Sequence, residues 1–288
     1  MSLRERLKSK EILVAPGVYD GLTALIAEQA GFEALYLSGA AVTYTKLGRP
    51  DIGLTSVTEM AEAMTLIRDR VRLPVIIDAD TGFGNALNAQ RTMRLYESAG
   101  ANALQIEDQT YPKRCGHLAD KSLISISEMS GKIAAMADAR ASADTLIIAR
   151  TDAIAVEGFD AAIERAEAYL SAGADVLFVE APRSGAELAK TTQHFAGRVP
   201  LLANMVEGGA TPVQNAADLQ ELGYSIAIFP GGIVRALARA ADEYYASLRL
   251  HGSNRPFADR MLDFNGINRL LGTQAMLDLG KRYEKDPR

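Results

Sequence analysis

The chain has 288 residues, 48% of them apolar and only 6% aromatic, with no Trp, so Ala, Leu, Ile and Val must fill its interior. Its 31 basic and 36 acidic side chains leave a formal charge of −5 with no run of Lys or Arg, which argues against a nucleic-acid partner. No apolar stretch reaches the roughly 18 to 20 residues of a membrane span, the charged start Met1–Lys10 lacks an apolar signal core, and a single Cys forms no internal disulfide; a soluble cytoplasmic protein with no membrane partner is expected.

Short apolar runs recur at Ile12–Ala15, Ala34–Leu37, Val75–Ala79, Ala103–Ile106, Leu146–Ala149, Val176–Val179, Leu201–Ala203 and Ser225–Phe229. Each is too short and too uniformly apolar for a half-exposed strand, and fits a parallel sheet buried on both faces. Longer stretches with helical spacing separate them. The pairs Ala30-Gly31, Ala99-Gly100, Ala172-Gly173 and Leu222-Gly223 stand where such a stretch ends and a run begins, and Gly there supplies the left-handed residue that stops a helix. This alternation predicts an α/β fold, a (β/α)₈ TIM barrel, with 1–288 as a single barrel domain. Past Gly252 the strand signal stops, and the spacing predicts helices over Arg260–Leu271 and Gln274–Glu284 in a C-terminal extension over 252–288.

In such a barrel the residues just past the C-terminal strand ends form the catalytic face. Here these are Ser38 and Gly39, Asp78 and Asp80, Glu107 and Asp108, Arg150 and Asp152, Glu180, and Asn204. Any one of them could be a helix N-cap, but Glu is not a preferred cap and the whole set is poorly explained that way. Asp78 and Asp80 lie two apart, on one side of an extended strand end. With Glu107 they form an all-oxygen cluster suited to Mg²⁺ or Mn²⁺ rather than Zn²⁺.

The only Cys follows in Lys113-Arg114-Cys115-Gly116-His117, between cations and an imidazole and beside a Gly that admits a ligand. Neighbouring positive charge favours the thiolate and makes Cys115 a candidate for proton transfer or nucleophilic attack. Arg150 follows an apolar strand and needs an anion, either a substrate carboxylate or a structural partner such as Asp152 or Glu180. Thr81-Gly-Phe-Gly-Asn85 lacks the spacing of a dinucleotide fingerprint. Glu207-Gly-Gly-Ala-Thr211 and Pro230-Gly-Gly232 follow the last two strands and leave a phosphorylated substrate open.

Taken in order, several segments resemble the isocitrate lyase and phosphoenolpyruvate mutase superfamily, from about residue 12 to the end. They are Tyr36-Leu-Ser-Gly39, Gly48-Arg-Pro-Asp-Ile-Gly53, Asp78-Ala-Asp80 through Gly84, Ile106-Glu-Asp-Gln109, Lys113–His117, Ala149-Arg-Thr-Asp-Ala153, Glu180-Ala-Pro-Arg183 and Asn204-Met-Val-Glu-Gly-Gly209. The resemblance implies a barrel whose C-terminal helix is exchanged between subunits, in a homotetramer built from dimers. It implies that Asp78 holds Mg²⁺ directly and that Asp51, Asp80 and Glu107 act on the ion through water, with Mn²⁺ as a substitute. Ser38, Gly39, Ala40, Gly116 and Arg150 would hold the 2-oxo acid, and Glu180, Asn204 and Arg235 would complete the substrate pocket.

By the same resemblance Cys115 is the general acid, in a loop with Lys113 and His117 that enzymes acting on phosphonates generally lack. The implied reaction is cleavage of a 2-hydroxy dicarboxylate to a 2-oxo acid and a carboxylate by retro-aldol chemistry. Tyr36 is the candidate base, and Arg150 and His117 stabilise the developing charge. Related 2-methylisocitrate lyases carry an Arg where Phe264 aligns, and the segments after Glu180 and Asn204 resemble 2,3-dimethylmalate and 2-alkylmalate lyases. A substituted malate is therefore the expected substrate. Three alternatives stand beside it: a carboxyphosphonoenolpyruvate phosphonomutase, an oxaloacetate decarboxylase and a non-catalytic dicarboxylate sensor.

Overall fold

The computed structural model describes residues 1–116, 120–206, 208–209, 211 and 215–284. Its strands are β1 (Leu13–Val18), β2 (Leu35–Leu37), β3 (Val75–Asp78), β4 (Ala103–Glu107), β5 (Leu146–Thr151), β6 (Val176–Val179), β7 (Leu202–Asn204) and β8 (Ile226–Phe229). All pair in parallel, in the order β6-β5-β4-β3-β2-β1-β8-β7, and a parallel bridge from Leu177 to Leu201 brings the two ends of the sheet together. The expected (β/α)₈ barrel is what the chain forms.

The helices that return the chain are α1 (Gly21–Gln29), α2 (Val57–Arg70), α3 (Ala86–Ser98), α4 (Ile126–Ala139), α5 (Phe159–Ser171), α6 (Gly185–Phe195) and α7 (Ala216–Leu222). Their N-termini are capped by Asp20, Ser56, Asn85, Ser125, Ser184 and Asn215, α5 excepted. The strand-end carboxylates are thus left for other work. Ser38 is different: its hydroxyl accepts from the Ala41 amide and caps the short helix Gly39–Val42. The four helix-ending glycines, Gly31, Gly100, Gly173 and Gly223, all have positive φ, from 89° to 110°.

Strand residues alternate between two apolar layers. One set, including Leu13, Tyr36, Ile76, Leu146, Ile148, Phe178, Ile226 and Ile228, fills the lumen. The other, including Leu35, Leu37, Val75, Ile77, Leu104, Ile147 and Leu177, packs under the helices. A feature outside the sequence reading closes the lumen from the N-terminal face of the strands. The short helix Leu3–Arg6 inserts Leu3, 1% exposed, against Leu13 and its layer. Arg4 fastens it to the carbonyl of Ala143 and to Asp175 (2.7 Å), and Arg6 to Glu33 (2.8 Å).

Register sets which polar residues become neighbours at the opposite face. Asp78 lies beside Gln105 in the β3–β4 pair, Glu107 beside Arg150 in β4–β5, and Arg150 beside Phe178 in β5–β6.

The chain divides into two compact units, Met1–Val234 and Arg235–Arg288. The division falls inside α8 (Gly232–His251). Within the second unit a 3₁₀ turn, Arg255–Arg260, packs Phe257 edge-on to Tyr244 at 5.5 Å, with Arg260 over its ring at 4.4 Å. The helix expected from Arg260 begins instead at Phe264, as α9 (Phe264–Leu271), because Asp263 accepts from the Gly266 amide at 2.6 Å and caps it there. Gly272, at φ 76°, separates α9 from α10 (Thr273–Lys281).

Candidate active site

Asp78 ends β3 with an oxygen that accepts from the Asp80 amide at 3.1 Å. Asp80 itself is held at φ 45°, a left-handed conformation uncommon outside Gly. Both are buried, as are Asp51 and Glu107. Lys113, 3% exposed, reaches in from the loop after β4 and pairs with Asp51 at 2.6 Å and Asp80 at 2.8 Å. Burial pushes Asp80 up to about 6, with Asp78 and Asp51 adding to the rise and Lys113 opposing it. Glu107 is driven well above the usual carboxylate range by burial, against the pull of Arg150.

Arg150 has a buried guanidinium surrounded by three carboxylates. Its Nε and Nη2 fork onto Asp152 at 2.9 and 3.1 Å, Nη1 stands 3.2 Å from Glu107, and Nη2 is 3.7 Å from Glu180. Phe178 lies beneath it at 5.2 Å. Of the structural partners weighed for Arg150, Asp152 is hydrogen-bonded to it and Glu180 stands further off. Burial raises the pKa of Asp152, but Arg150 and Lys121 outweigh it and bring that carboxyl down to about 2.

The loop carrying Cys115 comes down onto this cluster. A Cβ on Gly116 would stand 2.3 Å from both Arg150 Nη2 and Glu180 Oε1, so only glycine lets the backbone lie there. Lys121 fixes the far side of the loop, donating to the Gly116 carbonyl and pairing with Asp152 at 2.8 Å. Cys115 is half-buried and forms no disulfide. Of its flanking cations, Lys113 is committed to Asp51 and Asp80, and Arg114 faces out to Asp120 at 3.4 Å. His117 lies outside the described residues.

On the other flank Asn204 gives its amide hydrogens to Glu180 at 3.1 and 3.4 Å, while its Oδ1 is buried without a partner among the described residues. The backbone at Gly39 lies against Asp78, whose Oδ2 would be 3.1 Å from a Cβ there. Ala40 follows, half-buried. Arg235 is exposed and opens the second unit.

Tyr36, the candidate base of the resemblance, is buried beside Gln105. Its hydroxyl donates to Gln105 Oε1 at 2.5 Å. Burial, followed by the charge of Asp78, pushes its pKa well above the ordinary phenol value.

Sequence reading missed two supports of this site, and it placed a third, Asp108, at the catalytic face without giving it a task. Gln105, 0% exposed, was signalled only as a lone polar residue inside an apolar run. Lys121 carried no signal. Asp108 anchors the β5 end: its Oδ2 accepts from Thr151 (2.7 Å) and Tyr169 (2.7 Å), and its Oδ1 from the Asp152 amide (3.0 Å). The trace of this anchor in the sequence is Arg165 and Tyr169, one turn apart on the buried side of α5, with Arg165 Nη1 3.4 Å from Asp108.

The residues fit a hard divalent cation. The donors around Asp78 are all oxygens, Glu107 Oε1 is buried without a partner among the described residues, and like charges press on Asp80 and Glu107. Among the described residues no three acidic, His or Cys side chains converge as a ready-made direct shell. One direct carboxylate, with the others reaching the ion through water, is compatible with that spacing.

Residues 3–249 match the family model of phosphoenolpyruvate phosphomutase. The chain is 41% identical to 2,3-dimethylmalate lyase of Eubacterium barkeri, covering 98% of this chain and 96% of that one. It is 48% identical to 2-methylisocitrate lyase of Aeropyrum pernix over 94% of this chain and 86% of the other. A phosphonopyruvate hydrolase, solved with oxalate and Mg²⁺, superposes with a TM-score of 0.88 at 35% identity, over 98% of each chain. A barrel with this carboxylate mouth, matched over nearly its whole length, makes the chain a member of the phosphoenolpyruvate mutase and isocitrate lyase superfamily.

Proposed function

We propose that the chain is a Mg²⁺-dependent carbon–carbon lyase that cleaves a 2-alkylmalate such as 2,3-dimethylmalate into pyruvate, or a related 2-oxo acid, and a second carboxylate. The observation that carries this is Gly116. It seats the loop that carries Cys115 directly on Arg150 and Glu180, which border the mouth in which the carboxylates gather.

Asp78 would hold the ion, with Asp51, Asp80 and Glu107 around it, and the bound Mg²⁺ supplies a Lewis acid that lowers the pKa of the substrate's 2-hydroxyl. Arg150, clamped by Asp152, presents a fixed positive charge beside that position and favours an oxyanion there. The 2-hydroxyl proton is lost to water, and the C2–O bond becomes the carbonyl of the 2-oxo acid as the C2–C3 bond breaks. The electron pair of the broken bond passes to C3, and Cys115 delivers the proton that C3 requires. Gly116 and the backbone from Ser38 to Ala40 shape the space for the 2-oxo acid, and Asn204 with Glu180 borders the departing fragment. His117 and Arg235 enter as pocket residues by family resemblance, as does Lys113 in the loop that bears the acid.

A homotetramer is proposed with this activity. In the unit Arg235–Arg288, Leu250 (76%), Phe264 (81%), Met276 (64%) and Tyr283 (77%) are widely exposed, an apolar load that association with further copies would cover. Light scattering on the purified chain tests it. No helix among the described residues is long and apolar enough to cross a membrane, which agrees with the proposed cytoplasmic setting.

The activity test is 2-oxo acid release, coupled to lactate dehydrogenase, from 2,3-dimethylmalate, 2-methylmalate and 2-methylisocitrate with and without Mg²⁺. Preference for a dicarboxylate is the expected result. Preference for the tricarboxylate would overturn the meaning given to Phe264, and silence on all three, with phosphorus transfer seen by ³¹P NMR, would overturn the lyase.

A further inference from the structure

Gln105 sits inside β4, fully buried, and touches three groups of the site. Its Oε1 accepts the Tyr36 hydroxyl at 2.5 Å, and its Nε2 lies 3.4 Å from Asp78 Oδ1 and 3.5 Å from Glu107 Oε2. Only one orientation of the amide serves all three. Ionised carboxylates accept and do not donate, so the NH₂ must face them; a phenol keeps its proton at neutral pH and donates, so the carbonyl must face Tyr36. Tyr36 therefore locks the amide against a flip.

The amide in turn decides which carboxylate oxygens remain available. It occupies Asp78 Oδ1, which also takes the Asp80 amide, and Glu107 Oε2, which also faces Arg150. Left over are Asp78 Oδ2, on the Gly39 side, and Glu107 Oε1, buried without a partner among the described residues. We propose that Gln105, oriented by Tyr36, is a positioning residue that spaces two like-charged side chains and aims one oxygen of each at a divalent cation. This rests on the Mg²⁺ reading above.

The test is Mg²⁺ titration calorimetry on the full chain and on Gln105→Leu, Tyr36→Phe and the double variant, with thermal melts in EDTA to confirm folding. Gln105→Leu should weaken Mg²⁺ binding by about 10- to 100-fold, as loss of an outer support does elsewhere. Tyr36→Phe should weaken it by a smaller factor. The double variant should bind no worse than Gln105→Leu alone, because Tyr36 acts through Gln105. Should Gln105→Leu fail to fold, Tyr36→Phe decides the matter by itself, and an unchanged dissociation constant overturns the proposal. So do a Gln105→Leu protein that binds Mg²⁺ as tightly as the wild type, and losses that simply add. A wild-type chain that binds no Mg²⁺ overturns the metal reading and this inference with it.

Discussion

Replacing Gly116 with alanine places a methyl group 2.3 Å from Arg150 Nη2 and from Glu180 Oε1. An unstrained contact between such heavy atoms needs about 3.5 Å, so something must retreat by roughly 1 Å. Arg150 has nowhere to go: it is forked onto Asp152 at 2.9 and 3.1 Å, faces Glu107 at 3.2 Å and rests on Phe178. Glu180 is tethered by Asn204 and 1% exposed. The loop must therefore rise, carrying Cys115 away from the carbon it is proposed to protonate. Misplacement of a reacting group by about 1 Å costs on the order of 10²-fold in rate, or about 2.7 kcal/mol of barrier. The coupled lactate dehydrogenase assay should show kcat reduced by about that factor, with a melting temperature changed little because the loop lies at the barrel rim. A variant that retains kcat within threefold of the wild type would falsify the placement of the loop on Arg150.

Lys113→Met removes the cation shared by Asp51 and Asp80 and should lower stability in EDTA by about 3–5 kcal/mol. Added Mg²⁺ should then raise the melting temperature of the variant more than that of the wild type, and equal shifts would refute a shared site. Tyr169→Phe takes one donor from Asp108 and leaves Thr151 and a longer contact to Arg165, so urea melts should show a loss of about 1.5–3 kcal/mol. For Asp152 the folded pKa is depressed, to about 2. Between that value and the unfolded pKa of about 3.9, the unfolded chain binds the extra proton, so stability falls as pH falls through this window. Asp152→Asn lacks that contribution, and its deficit against the wild type, measured by urea midpoints, should narrow as the pH drops from 5 toward 3. A constant deficit would show that Asp152 does not titrate with folding.

Much of the barrel was legible because burial on both faces forces each strand to be a short apolar run, and because a helix that must stop before a strand needs a left-handed residue. Both constraints are local. The carboxylates were legible for a related reason: Asp78, Glu107 and Glu180 stand where an apolar run ends, and an unpaired charge in that place demands a partner. What the residues did not disclose was pairing over distance. Lys113 reads as a neighbour of Cys115 along the chain, but register and loop path turn its ammonium to Asp51 and Asp80. Nothing local to Tyr36 discloses that β4 brings Gln105 against it. Gln105 was counted into an apolar run because one amide does not break the pattern of a buried strand. The start of α9 moved from Arg260 to Phe264 because a single cap, Asp263, outweighed the periodic pattern upstream of it.

The helix Leu3–Arg6 lies at the face of the barrel away from the carboxylates, yet it bears on their chemistry. Leu3 and the apolar layers above it exclude water from beneath Arg150 and Glu107, and attraction between charges in a dry interior is several times stronger than beside solvent. The first few residues of the chain thus act as an insulator. Unseating them would let water rise through the lumen and weaken the field at a site none of them touches.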